Sequence, residues 1–188
     1  MNSIFNKLVT GTAVLALSIT VFASNSMAAE TGVNAQITGT DLTLSVIEAT
    51  AFDAVTLDGT IQTGTGALIN SFNVTDARGT GAGWDVAVSS TQFTNPATTT
   101  VLSAGSLTLG APNVTEGDGS SAASDIVSEG GNIDNDAATP VTILSAGTDE
   151  GMGSFTVDSI PMTLTLLPKE VYAGTYTSTV TVAFTAGP

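Results

Sequence analysis

Apolar and polar residues alternate in short stretches along this chain, and successive strand side chains point to opposite faces, so the alternation predicts strands. Leu42, Leu44 and Val46 fall on one side, with Thr43, Ser45 and Ile47 on the other. Leu68, Phe72 and Val74 share a face that Asn70 interrupts. Trp84, Val86 and Val88 alternate with Asp85, Ala87 and Ser89, and Met162, Leu164 and Leu166 with Thr163, Thr165 and Leu167. In the last segment Tyr176, Val180, Val182 and Phe184 oppose Thr177, Thr179, Thr181 and Thr185, which reads as an interior strand rather than a tail. Shorter candidates lie at Ala35–Thr38, Phe52–Leu57, Ser106–Leu109, Val141–Leu144 and Gly153–Val157. No segment after Ala28 carries a helical apolar period.

About nine or ten strands separated by Gly, Asp, Asn and Pro turns predict an all-β chain, an antiparallel β-sandwich with a solvated Thr-rich outer face. The stretch from Glu116 to Thr139 differs, being rich in Gly, Ser, Ala and Asp with only Ile126, Val127 and Ile133 as anchors. It is expected to be a long acidic surface loop. Composition agrees with a folded β protein. Leu, Ile, Val and Phe supply 48 of 188 residues, above the floor of about 20% at which disorder sets in. Thr supplies 32 and Val 17, and β-branched side chains suit a pleated surface.

The N-terminus has the form of a secretory signal: Lys7, an apolar run from Leu8 to Ala23, and small residues in Ser26-Met27-Ala28. Residues 1–28 are expected to be removed, leaving 29–188 as a single domain. That portion holds 2 basic against 17 acidic residues, a charge of about −15. The chain stops at Ala186-Gly187-Pro188 without a hydrophobic tail or sorting sequence. Retention at a surface is therefore expected to be non-covalent, with no membrane span after the leader. A cysteine-free exported chain also fits a Gram-positive source.

Composition excludes several chemistries. There is no Cys and no His, so thiolate and imidazole catalysis and His- or Cys-liganded metal sites are absent. Three basic residues cannot neutralise a nucleic-acid backbone. The glycine run Arg78-Gly79-Thr80-Gly81-Ala82-Gly83 lacks the Lys-Ser/Thr pair of a phosphate loop and reads as a turn feeding a strand. Asp134-Asn135-Asp136 and Glu116-Gly117-Asp118 offer hard oxygen ligands but no complete calcium loop. Asn73-Val74-Thr75 and Asn113-Val114-Thr115 match the glycosylation triplet, which carries little weight in a bacterial chain. The 17 acids single out no catalytic pair. Neither enzymatic activity nor a cofactor or metal is expected. Trp84, the only Trp, is either a core residue or a platform on which a sugar ring stacks.

The distal segment reads Tyr176-x3-Val180-Thr181-Val182-Ala183-Phe184-x3-Pro188. It resembles the C-terminal signature of the WxL domain of Gram-positive surface proteins: Tyr, three residues, an aliphatic, Thr-Trp-x-Leu, three residues, Pro. Trp84-Asp85-Val86 resembles the family's proximal motif, and the resemblance spans roughly Leu57 to Pro188. Val182 stands where the family has its second Trp, and Phe184 replaces Leu. The resemblance implies a secreted cell-surface protein attached non-covalently to peptidoglycan and assembling with other surface proteins. It also implies that Trp84, Asp85, Val86, Tyr176, Val180, Thr181, Val182, Phe184 and Pro188 form a structural or wall-binding motif. The alternative is a structural or adhesive subunit that assembles through β-edges with itself or with a larger surface protein.

Overall fold

A computed structural model describes residues 34–135 and 139–187. The leader expected at 1–28, Asp136 and Pro188 lie outside the described residues. The strands of the described residues all fall in one unit, Ile37–Pro188. They are β1 (Leu42–Leu44), β2 (Gln62–Gly64), β3 (Leu68–Ile69), β4 (Phe72–Asp76), β5 (Trp84–Ser90), β6 (Thr94–Asn95), β7 (Thr100–Val101) and β8 (Leu107–Leu109). There follow β9 (Val114–Glu116), a single 3-10 turn at Ala123–Asp125, β10 (Val127–Ser128), β11 (Gly131–Asn132), β12 (Val141–Ala146), β13 (Gly153–Val157), β14 (Ile160–Leu166) and β15 (Val180–Ala186).

The all-β, antiparallel class is as expected, and every pairing among the described residues is antiparallel. The strands form three main sheets, ordered β1-β4-β13-β9, β10-β12-β5-β15 and β11-β8-β14-β2, with β3 also on β14 and β6-β7 a separate hairpin. One core draws on all three. Phe72, Val74 and Phe155 come from the first, Trp84, Val86 and Leu144 from the second, and Leu107, Met162 and Leu164 from the third. Alternation is strict where it counts: β14 buries Ile160, Met162, Leu164 and Leu166 and exposes the residues between them. In β12 an extra residue between Thr142 and Leu144 makes a bulge opposite β5. The bulge turns both Ile143 and Leu144 into the core.

Several expectations need correction. The face of Leu42 and Leu44 does not continue to Val46, which is 83% exposed, because the chain leaves the strand and turns Ile47 inward instead. The run from Leu68 to Val74 is two strands, and Ile69 rather than Leu68 joins Phe72 and Val74 in the core. Ala35–Thr38 and Phe52–Leu57 form no strand. In the latter, Phe52 alone is anchored, edge-on to Phe93 at 5.9 Å between ring centres, while Val55 and Leu57 point outward.

The 116–139 stretch is not a free loop. β10 pairs with β12 and β11 with β8. Ile133 is buried between them, its N–H donating to the Leu107 carbonyl and its carbonyl accepting from the Ser90 N–H. Two buried aliphatics, Ile126 and Ile133, seven residues apart and so too sparse to show a period, hold this segment to two sheets. The last strand is also not interior to its sheet. Among the described residues β15 pairs with β5 alone, and it ends the sheet order.

Candidate functional site

The two sequence motifs lie side by side on β5 and β15. The turn that delivers Trp84 to β5 is pinned from within. Arg78 Nε and Nη2 donate to the two carboxylate oxygens of Asp76, at 2.9 and 2.7 Å, and Nη2 also donates to the Gly83 carbonyl at 2.7 Å. Asp76 is only 3% exposed, and the Arg78 guanidinium hydrogen-bonded to it holds its carboxyl below the ordinary value of 3.8. Gly83 has φ +73°, and a Cβ there would meet the Ala146 carbonyl oxygen at 2.2 Å. No other residue could turn the chain so close to β12.

Trp84 is 0% exposed. Its ring lies 6.0 Å from that of Phe155 and 6.2 Å from that of Phe184, centre to centre, the second contact edge-on. Its Nε1–H donates to the Gly151 carbonyl at 2.9 Å, so the one polar atom of the indole is satisfied. Gly151, at φ +66°, passes so near that a Cβ would come within 2.6 Å of that nitrogen. The indole is thus enclosed and cannot stack on an external sugar. Val86 is buried beside it, and Asp85, on the other face, stands in register with Ser145 and Thr185.

On β15, Val182 lies opposite Val88, Phe184 opposite Val86 and Thr181 opposite Ser89. Trp84 itself faces Ala186 across the ladder, and the Gly187 N–H donates to the Gly83 carbonyl. Phe184 therefore makes the contact between motifs, and Val182 does not touch the indole's register position. Val180, Val182 and Phe184 are half-buried and Thr181 is exposed. Pro188 lies outside the described residues.

Tyr176, also half-buried, belongs elsewhere. It helps form a cleft of about 1100 Å³ that the sequence pattern did not reveal. Leu107, Met162, Leu164 and Leu166 are at its floor, and its walls come from segments 49–57 and 171–180. Thr177 fixes the second wall through reciprocal backbone bonds with Thr94, both 2.9 Å. Within that wall the Tyr172 N–H donates to the Tyr176 hydroxyl at 3.0 Å, and the Tyr172 side chain is 61% exposed. Phe52 and Phe93 also line the cleft. The only sequence sign of it was two Tyr residues in a segment without charge. Its lining contains no basic residue and one acid, Asp53.

One acid of each acidic triplet, Asp134 and Glu116, has a structural role. The buried Asp134 accepts from the Gly105 N–H at 3.0 Å and the Ser106 hydroxyl at 2.8 Å, closing the turn before β8. Glu116 accepts from the Ala123 N–H. Among the described residues no group of three or more acids gathers as metal ligands would. Asn73 and Asn113 bond to Thr156 and Asp158 across their sheet.

No curated protein and no solved structure matches the chain. A family model described as "WxL domain surface cell wall-binding" matches residues 32–188. With the match covering nearly all of the folded unit, the chain belongs to the WxL domain family of cell-wall-binding surface domains.

Proposed function

We propose that the protein is exported by its N-terminal leader and held on the wall by non-covalent contact with peptidoglycan, as a binding protein and not an enzyme. The observation that carries this reading is the cleft beside β15. Its wall contains Tyr176 and Val180 of the distal motif, and Tyr172 stands exposed at its side. A concave apolar site with aromatic faces and a few hydroxyls is suited to a neutral glycan segment, whose rings stack while its hydroxyls bond. Charge supports the same class of contact. Of the two basic residues after the leader, Arg78 is spent on Asp76 and Lys169 lies 3.5 Å from Glu170. Neither lines the cleft, so binding there is expected to run through uncharged groups.

Co-sedimentation with purified peptidoglycan tests this. Tyr172→Ala removes an exposed ring and leaves the backbone bond to Tyr176 intact. It is expected to reduce pelleting roughly tenfold, the loss of about 1–1.5 kcal/mol of aromatic contact, with the melting temperature unchanged. Pelleting at the wild-type level would place the contact outside the cleft. A second reading, assembly through a sheet edge with another copy or a larger surface protein, is favoured by the single-partnered β15. Oligomers that form with rising concentration, indifferent to peptidoglycan, would select it.

A further inference from the structure

The open flank of β15 differs from every other sheet end. Soluble proteins protect unpaired strand edges by keeping them short or by placing charge or proline on them. Here β1, β2, β9, β10 and β11 are two or three residues long, and Asp41, Glu116 and Glu129 lie in or next to three of them. β15 runs for seven residues. It carries no charge and no proline, and no Asp, Glu, Lys or Arg occurs anywhere from Val171 to Pro188. In a chain of net charge −14 this is the flank that another acidic molecule can approach.

The order of residues in β15 says which molecule. Val180-Thr181-Val182-Ala183-Phe184-Thr185-Ala186 is symmetric in side-chain class about Ala183. Laid antiparallel on a second copy with the two-fold axis at Ala183, Thr181 meets Thr185, Val182 meets Phe184, and Val180 meets Ala186. Thr–Thr and aliphatic–aromatic pairs are the ones that stabilise antiparallel ladders, and a small side chain falls on the axis. Faces match as well. The register with β5 puts Val182 and Phe184 on the side of the buried Val88 and Val86, and Thr181, Ala183 and Thr185 on the other.

We propose that β15 is a self-pairing edge, through which two copies join into one continuous sheet centred on Ala183. The rotation is two-fold, so the contact closes on itself and does not propagate. Acid placement permits it. Asp85, in register with Thr185, ends up three strands and four residues from its counterpart. At about 4.8 Å per strand and 3.3 Å per residue that is about 20 Å, beyond the Debye length of about 8 Å at physiological salt. The inference rests on the edge-assembly reading above and narrows it to one edge, one partner and one register.

The test uses the purified full chain in sedimentation across a concentration series. Wild type is expected to form a reversible dimer. Thr181→Glu with Thr185→Glu puts like charges opposite each other twice across the dimer, on residues exposed in the single copy. It should weaken association roughly tenfold or more, while the melting temperature falls only by the repulsion of Glu at position 185 from Asp85 opposite it within each copy, a cost the next variant shares. Thr181→Lys with Thr185→Glu turns the same two contacts into opposite-charge pairs and should restore the dimer. The chain has no cysteine, so Ala183→Cys should oxidise to a linked dimer where Thr163→Cys, exposed on β14, does not. A double-Glu variant that associates like wild type, or Ala183→Cys that links no better than Thr163→Cys, would overturn the edge and register while leaving assembly itself standing. A wild type monomeric throughout would overturn self-pairing altogether and leave only a larger partner for the edge.

Discussion

Trp84→Ala would empty the space between Phe155 and Phe184 and leave the Gly151 carbonyl without its indole donor. The expected cost is about 3–5 kcal/mol, the usual range for truncating a core Trp. Trp84→Phe keeps most of the volume and loses the hydrogen bond, so it should stay folded with a lowered melting temperature and near-normal pelleting. Wild-type fluorescence should be blue-shifted and protected from quenchers; an exposed, quenchable Trp would contradict its packing against Phe155 and Phe184. The Asp76–Arg78 pair gives a second residue-scale prediction. Asp76 has its carboxyl lowered by Arg78, so its contribution to stability is complete above the ordinary value of 3.8. That contribution is lost as pH falls below this value through the lowered folded one. Arg78→Met leaves a buried carboxylate unpaired and should destabilise by about 3 kcal/mol at neutral pH. It should also flatten the acid limb, because its Asp76 protonates without giving up a partner. Melting curves of the two proteins that run parallel from pH 6 to pH 3 would deny the pair its role.

Elements were legible wherever a strand was long and buried on one face. Trp84–Ser90 and Ile160–Leu166 stand where alternation put them, and Val180–Ala186 does so without the Tyr176–Thr179 stretch that alternation joined to it, because period-two patterning is dictated by the core itself. What alternation cannot encode is the partner. Phe52–Leu57 has strand-like composition, yet only the Asp53 N–H reaches a neighbour's backbone, at Thr65, so no ladder forms. β10 and β11 are two residues each and have no period at all; they exist because β12 and β8 lie alongside. The edge position of β15 was likewise hidden, since an edge strand and a central strand can bury the same side chains. The candidate site divides in the same way. The proximity of the two motifs follows from β5 and β15 being neighbours. The cleft, by contrast, is walled by two segments outside the named strands, 49–57 and 171–179, and by Val180 at the start of β15, whose approach is a product of tertiary packing.

At the scale of the whole molecule, charge sets the conditions under which the surface can meet anything acidic. The net charge is −14, and neither basic residue described in the fold is unaccompanied, since Arg78 lies against Asp76 and Lys169 against Glu170. Of the two proposed contacts, β15 with a second copy carries no charge and the cleft with glycan carries only Asp53, and both are opposed by repulsion from the remaining carboxylates. That repulsion reaches about 30 Å at 0.01 M ionic strength and about 10 Å at 0.1 M. Retention on walls bearing anionic polymers, and dimer formation, should therefore both strengthen between those two conditions and then level off. The wall arm is read by pelleting at fixed protein concentration, the dimer arm by sedimentation. A contact built on cations would behave oppositely, falling with salt as ion pairs are screened. Pelleting that drops steeply from low to moderate salt would require basic contacts that neither Arg78 nor Lys169, both outside the cleft lining, is placed to give, and the cleft would lose its claim as the binding site.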